Sequence, residues 1–198
     1  MIKAVIFDLN GVFVKGPKLS ERFREIFEIP EEVFMPQLTG ALAKMRLPDA
    51  GDSFAYWKPF LDKWHITLPP QLFWKFWFAS EESVPEMVGL AESLRERGVK
   101  VFILSNNFAE RTQYYARQFP FLHCVPNALY YSWQTGFVKS DPRAYKKVLE
   151  DNALEPEEVL FFDDSEEHIR VAKELGISAH LFQDIRGARE ALKRHGLC

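Results

Sequence analysis

An α/β fold built on a mostly parallel sheet, with helices on both faces, is predicted by two patterns in this 198-residue chain. Short hydrophobic runs recur between helical stretches, at 4–7, 99–104, 159–162 and 177–182. Such runs suit strands buried on both faces, with the intervening helices as crossovers. Three of the runs then end in polar residues: Asp8 and Asn10, Ser105 and Asn106, Asp163 and Asp164. In a parallel sheet those ends converge on one crevice, where open α/β sheets hold ligands.

The elements follow in order. Residues 2–7 form the first strand. A helix is predicted over 84–97: Pro85 suits a first turn, Met87, Val88, Leu90, Ala91 and Leu94 recur at helical spacing, and Gly98 ends it. Strand 99–104 and helix 108–118 come next. Residues 128–139 read as extended, with Gln134-Thr135-Gly136 as a turn. Pro142 opens a helix over 142–151, and strand 159–162 leads to helix 165–175, stopped by Gly176. A fourth strand, 177–182, and a helix over 185–195 complete the pattern.

Residues 16–83 interrupt it. They contain no convincing strand, are rich in Trp and Phe, and are cut into short helices by prolines such as Pro30, Pro36, Pro48 and Pro59. This segment reads as a small helical cap inserted after the first strand, leaving 1–15 and 84–198 as the core domain. Its aromatic residues supply the buried area that a mini-domain needs. Some of Trp57, Trp64, Trp74 and Trp77 are candidates to face the crevice, and Lys15 and Lys18 flank the hinge.

A 47% hydrophobic content is ample for a packed core, and a net charge of -3 gives no electrostatic case for a nucleic-acid or membrane partner. No apolar stretch is long enough for a bilayer, and no leader precedes the first strand. Cys124 and Cys198 match no metal spacing and read as free thiols in a reducing cytoplasm.

Asp8 is the residue with most chemistry to explain, because a carboxylate buried at a strand end requires a cation or hydrogen-bond partners. Carboxylates at two strand ends make an oxygen-rich site for a hard cation such as Mg²⁺. The Ser105 hydroxyl, amides at a helix start and Lys139, just before Asp141-Pro142, make a site for phosphate. Those parts together serve phosphoryl transfer to a side-chain nucleophile.

Four stretches in this order carry a family resemblance: Val5-Ile6-Phe7-Asp8-Leu9-Asn10-Gly11-Val12, Ile103-Leu104-Ser105-Asn106, Lys139-Ser140-Asp141-Pro142 and Phe161-Phe162-Asp163-Asp164-Ser165. The chain resembles the haloacid-dehalogenase (HAD) superfamily of phosphohydrolases, in particular the subfamily I type with a small helical cap, sugar-phosphate phosphatases among them. The resemblance implies a Rossmann-like core and a Mg²⁺-dependent hydrolase acting on a small phosphate monoester. Asp8 would be nucleophile and metal ligand, forming an aspartyl-phosphate. The Asn10 carbonyl and Asp164 would complete the protein's share of the metal shell, with Asp163 beside or behind them. Ser105 and the Asn106 amide would hold phosphoryl oxygens, and Lys139 would neutralise charge. The implied partner is a small phosphorylated metabolite, with the protein a monomer or homodimer.

The chain departs from the family pattern twice. Asn10 stands where the phosphatases usually carry an acid/base aspartate, and an amide cannot exchange a proton at neutral pH. Hydrolysis of the covalent intermediate is the step expected to slow. His168 stands where many relatives carry an acidic residue or asparagine. The rival readings are a metal-independent 2-haloacid dehalogenase and a binding protein on an impaired phosphatase scaffold. Asn10-Gly11 is also a pair prone to deamidation, which would restore an aspartate.

Overall fold

The computed structural model describes residues 1–197. Strand β1 (Ala4–Phe7) leaves the core through a two-residue strand β2 (Val14–Lys15). Four helices follow: α1 (Leu19–Phe27), α2 (Glu31–Met45), α3 (Lys58–Lys63) and α4 (Pro70–Phe78). The chain returns through β3 (Glu82–Ser83), which pairs antiparallel with β2. Helix α5 (Pro85–Glu96) then leads to β4 (Lys100–Ser105), α6 (Ala109–Gln118) and a single turn α7 (Phe121–Cys124). Strand β5 (Ala128–Tyr131), α8 (Ser132–Thr135) and α9 (Pro142–Asn152) precede β6 (Val159–Asp163). Helix α10 (Glu166–Glu174), strand β7 (Ser178–Leu181) and helix α11 (Ile185–Arg194) complete the order.

The main sheet runs β5-β4-β1-β6-β7, every neighbouring pair parallel. Alternate residues divide between its faces. Val5, Phe7, Val101, Ile103, Leu160 and Phe162 join one core with α5, α6 and α11. Ala4, Ile6, Phe102, Leu104 and Phe161 join the other with α9 and α10. The α/β fold and its parallel sheet are as the hydrophobic runs predict.

Three local expectations are corrected. The segment read as 128–139 extended is a fifth sheet strand only to Tyr131. It then forms helix α8, which Gly136 closes in the left-handed region at φ 82°. The insert contributes strand β3, too short for an alternating pattern to register. The single turn α7 was likewise beneath that threshold.

The aromatic insert builds its own core, as expected. Phe23, Phe34, Trp57 and Phe73 are fully buried, and Phe108 from the core side packs into the same cluster. Among the described residues no helix is long and apolar enough to cross a membrane. Cys124 is free and exposed, and Cys198 lies outside the described residues.

The register builds the site. Phe7 is aligned with Phe162, so the next residue on each strand, Asp8 and Asp163, emerges side by side at the carboxyl edge. Phe7 is also aligned with Ile103, which sets Ser105 just beyond on the other flank.

Candidate active site

Asp8 is 6% exposed, and its Oδ1 accepts bonds from the Leu9 amide at 2.6 Å and from Lys139 Nζ at 2.8 Å. Its Oδ2 makes no such bond among the described residues. Burial pushes the Asp8 carboxyl up to about 6, against the pull of Lys139 and with a further push from Asp163.

Lys139 is 1% exposed and sits between two carboxylates, reaching Asp163 Oδ2 at 2.5 Å as well as Asp8. Asp163 is wholly buried, and its Oδ1 accepts from the Ser165 amide at 2.8 Å and from His168 Nδ1 at 2.9 Å. Burial alone would raise the Asp163 carboxyl; the His168 hydrogen bond and the Lys139 charge outweigh it and hold it below the ordinary value. One oxygen from each of Asp8, Asp163 and Asp164 lies within 4.8 Å of the others. Both Asp163 oxygens are already engaged, however, so this side chain aims Lys139 and His168 from behind the site. With its Nδ1 proton committed to Asp163, His168 turns Nε2 toward Asn106 Nδ2, 3.5 Å away. The second departure from the family pattern is thus part of the site wall.

Asp164 opens onto the cavity beside Gly11. Burial and the neighbouring Asp163 charge raise its carboxyl above the ordinary value. Gly11 has φ +88°, and a Cβ there would lie 2.1 Å from Asp164 Oδ2. Only glycine permits both the backbone and the close approach. Gly11→Ala is therefore expected to displace Asp164 and weaken Mg²⁺ binding at least about tenfold, a loss typical of disturbed ligand positioning. Calorimetric titration with Mg²⁺ checks it; an unchanged affinity would mean that Asp164 does not hold the ion.

The Asn10 carbonyl accepts none of the backbone hydrogen bonds of its turn. The Asn10 side chain is held from both ends: Nδ2 donates to Tyr115 Oη at 2.6 Å, and Oδ1 accepts from Asn107 Nδ2 at 3.2 Å. The Gly11 amide is bonded to the Val14 carbonyl at 2.8 Å. The two groups that must meet for deamidation are thus separately restrained, which opposes that reaction.

On the other flank, Ser105 Oγ is buried with no hydrogen-bond partner among the described residues. A buried hydroxyl without a partner is costly and points to a missing acceptor. Asn106 Oδ1 accepts from the Lys139 amide at 2.8 Å, tying the two phosphate-motif segments together. The residues present therefore fit a hard cation and a phosphoryl group: converging carboxylates, a glycine cradle and an orphan hydroxyl.

Asp8, Asn10, Ser105, Asn106, Lys139 and Asp164 face one cavity of about 330 Å³. Sequence reasoning missed two of its walls, Arg46 from the end of α2 and Arg111 from α6. Neither lies in a motif, and no sequence signal marks them. A second space of about 640 Å³ between the insert and the core shares Asn10, Gly11, Arg111 and Asp164 with the first. Met35, Leu38 and Leu42 of α2 line it, with Trp77, Lys15 and Lys18. Trp57 is instead fully buried in the cap core.

A parallel sheet with a buried carboxylate at the end of its central strand, under a helical insert, is the arrangement of a haloacid-dehalogenase-type hydrolase. The model of the haloacid dehalogenase-like hydrolases matches residues 2–176, and the chain belongs to that family. It is 27% identical to "Phosphatase MT3486" of Mycobacterium tuberculosis over 201 residues, covering 98% of this chain and 93% of that one. It is also 27% identical to the bifunctional epoxide hydrolase 2 of Sus scrofa over 216 residues, spanning 98% of this chain but only 38% of the relative. Among solved structures it resembles the HAD family enzyme bt-2542 of Bacteroides thetaiotaomicron, with TM-score 0.78, 26% identity and coverage of 92% and 94%. That enzyme has also been solved as a magnesium complex, which matches this chain with TM-score 0.76 at 25% identity.

Proposed function

We propose that this chain is a Mg²⁺-dependent phosphohydrolase that cleaves a small phosphate monoester through an aspartyl-phosphate on Asp8. The observation that carries the reading is Asp8 itself: one oxygen anchored by Leu9 and Lys139, the other facing a cavity walled by Ser105 and Asp164. Asp8, the Asn10 carbonyl and Asp164 would hold Mg²⁺. When bound, the ion neutralises phosphoryl charge and allows two anions to approach.

The chain's own residues divide the remaining work. Asp8 Oδ2 attacks phosphorus, and the ester oxygen leaves. Lys139 holds Oδ1, so the attacking oxygen is turned to the cavity. Ser105 Oγ gains in the phosphoryl group the acceptor it lacks in the protein. Water then attacks the aspartyl-phosphate, releasing phosphate and regenerating Asp8.

Asn10 cannot take the proton from that water. General-base help is worth about 10² to 10⁴ in rate. With p-nitrophenyl phosphate, whose leaving group needs no acid, the wild type is expected to release a burst of about one equivalent of nitrophenol and then turn over slowly. Asn10→Asp is expected to remove the burst and speed the steady state by up to about 10²-fold. The Asn107 amide still donates to the new carboxylate, and the Tyr115 hydroxyl can turn to do so. Rapid-quench kinetics read both. Fast steady-state turnover by the wild type would refute the impairment.

Asn10 also favours a second reading, a binding protein on an impaired scaffold. Ester cleavage by neither wild type nor Asn10→Asp, with Mg²⁺ still bound, would establish it. Activity indifferent to strong chelation would instead point to dehalogenase chemistry. We read the substrate as a small phosphorylated metabolite, its leaving group housed in the larger space, and the protein as a monomer or homodimer.

A further inference from the structure

Among the described residues, Arg46 is the one guanidinium of the small cavity with no partner to explain it. It is the C-cap residue of α2, in the helical insert, whereas the other phosphate-site residues all come from the core. Its Nε is fully buried without a hydrogen-bond partner. Arg111, facing the same cavity, differs: its Nε and Nη2 both bind Glu81, and its guanidinium lies 5.3 Å from the Tyr115 ring centroid. The charged groups felt by Arg46 are Arg111, which repels it, and Asp8, which attracts it. Burial of an unpaired guanidinium is costly, and arginine stays protonated regardless. The protein thus maintains a cation beside its nucleophile at an energetic cost.

The charge inventory says what that cation is for. Arg111 and Glu81 neutralise each other. That leaves the carboxylates of Asp8, Asp163 and Asp164 against Lys139 and Arg46. A divalent ion converts this set from one negative charge in excess to one positive. Without Arg46 the same metal-loaded set is only neutral and offers no net attraction to a phosphate dianion. A guanidinium is also a planar fork that matches two oxygens of one phosphoryl group.

Resting on the phosphohydrolase reading above, we propose that Arg46 is a phosphoryl ligand carried by the cap: it binds the phosphoryl oxygens themselves, in the cavity it shares with Lys139, and does not read the leaving group. Lys139 and Ser105 hold the phosphoryl group from the core, and Arg46 completes the grip from above. The cap is then recruited by the reacting group that every substrate shares. Substrate choice falls to the larger space, where Met35, Leu38 and Leu42 of the same helix meet the leaving group.

The test compares p-nitrophenyl phosphate, whose leaving group carries no negative charge, with phosphoglycolate, whose leaving group carries a carboxylate. Wild type, R46K and R46Q are assayed on both with Mg²⁺, and calorimetry measures inorganic phosphate binding to each protein with Mg²⁺ present. R46Q is expected to lower kcat/KM about 10²- to 10³-fold on both esters alike, the scale of a lost charge-stabilising donor. It is also expected to weaken phosphate binding at least tenfold, with R46K partly restoring both. A thermal melt and a Mg²⁺ affinity of R46Q no lower than those of wild type exclude a collapsed cap. A loss confined to phosphoglycolate would overturn the proposal and make Arg46 a reader of the leaving group. Unchanged phosphate affinity and kcat/KM in R46Q would also overturn it. If wild type neither cleaves an ester nor binds phosphate, the phosphohydrolase reading falls first and this proposal with it.

Discussion

Asp8→Asn should abolish ester cleavage and yet make the metal-free protein more stable at neutral pH. Losing the proposed nucleophile would remove the proposed covalent path, and kcat/KM should fall by at least about 10⁴-fold toward the uncatalysed rate. The stability gain follows from the raised Asp8 carboxyl, which stands at about 6 in the folded protein against an ordinary value of 3.8. The folded state therefore holds this proton more tightly than the unfolded chain does. Stability from the group is complete below about pH 4 and is lost as pH rises through about 6. Each pH unit of displacement is worth about 1.36 kcal/mol, so above pH 6 the ionised, buried Asp8 costs on the order of 2–3 kcal/mol. An asparagine amide carries no such penalty. Urea unfolding in a chelator should show the variant more stable at pH 7.5, with the gap closing toward pH 4. Adding Mg²⁺ should stabilise the wild type and narrow the gap, because the ion binds the folded wild type in preference to the variant. A variant less stable than wild type at pH 7.5 would mean that the cost of burying Asp8 is already met by the protein.

Lys139→Met should do the opposite. Among the described residues Lys139 is the sole cation bonded to both Asp8 and Asp163, and all three side chains are buried. Removing one partner of a buried ion pair typically costs about 3–5 kcal/mol, because the remaining charge is left uncompensated. Two carboxylates are stranded here, so the upper part of that range is expected at pH 7. Their folded-state pKa values would then rise, and stability should be partly recovered as the pH is lowered toward 5. Double-mutant analysis adds a sharper check. In Lys139→Met/Asp8→Asn one stranded charge is gone, so the double variant should be more stable than Lys139→Met alone. A gain no larger than the one Asp8→Asn gives in the wild-type background would mean that the two sites are uncoupled.

The legibility of the site in the sequence had a physical basis. Asp8, Ser105, Asp163 and Asp164 each follow a hydrophobic run, and parallel pairing carries the ends of such runs to one edge whatever the loops do. Lys139 was legible only from its position just before Asp141-Pro142 at the mouth of a core helix, because a lysine on its own is ordinarily solvated. Asp163 shows the limit of that reasoning. Adjacent aspartates look equivalent in sequence, but successive residues past a strand end point in different directions. One therefore faces the cavity while the other is buried behind it with Lys139 and His168. Arg46 was invisible for another reason. Its place depends on how α2 lies over the core, and the packing of one element on another leaves no local pattern. The same holds for Tyr115 and Asn107, which grip Asn10 from residues 105 and 97 positions away in the chain.

The short ribbon of β2 and β3 has an architectural consequence. Val14 lies opposite Ser83, and Lys15 opposite Glu82, so the polypeptide departs for its excursion and comes home at adjacent points. Antiparallel partners stand only about 4.5–5.5 Å apart. A detour that starts and finishes at neighbouring positions places almost no geometric demand on the sheet beneath it. Lengthening, shortening or exchanging that detour leaves the strand register, and hence the alignment of the reactive edge, untouched. This scaffold can thus acquire new chemical tastes through one exchangeable module while the core's share of the site stays as it is, Arg46 being the part that travels with the module.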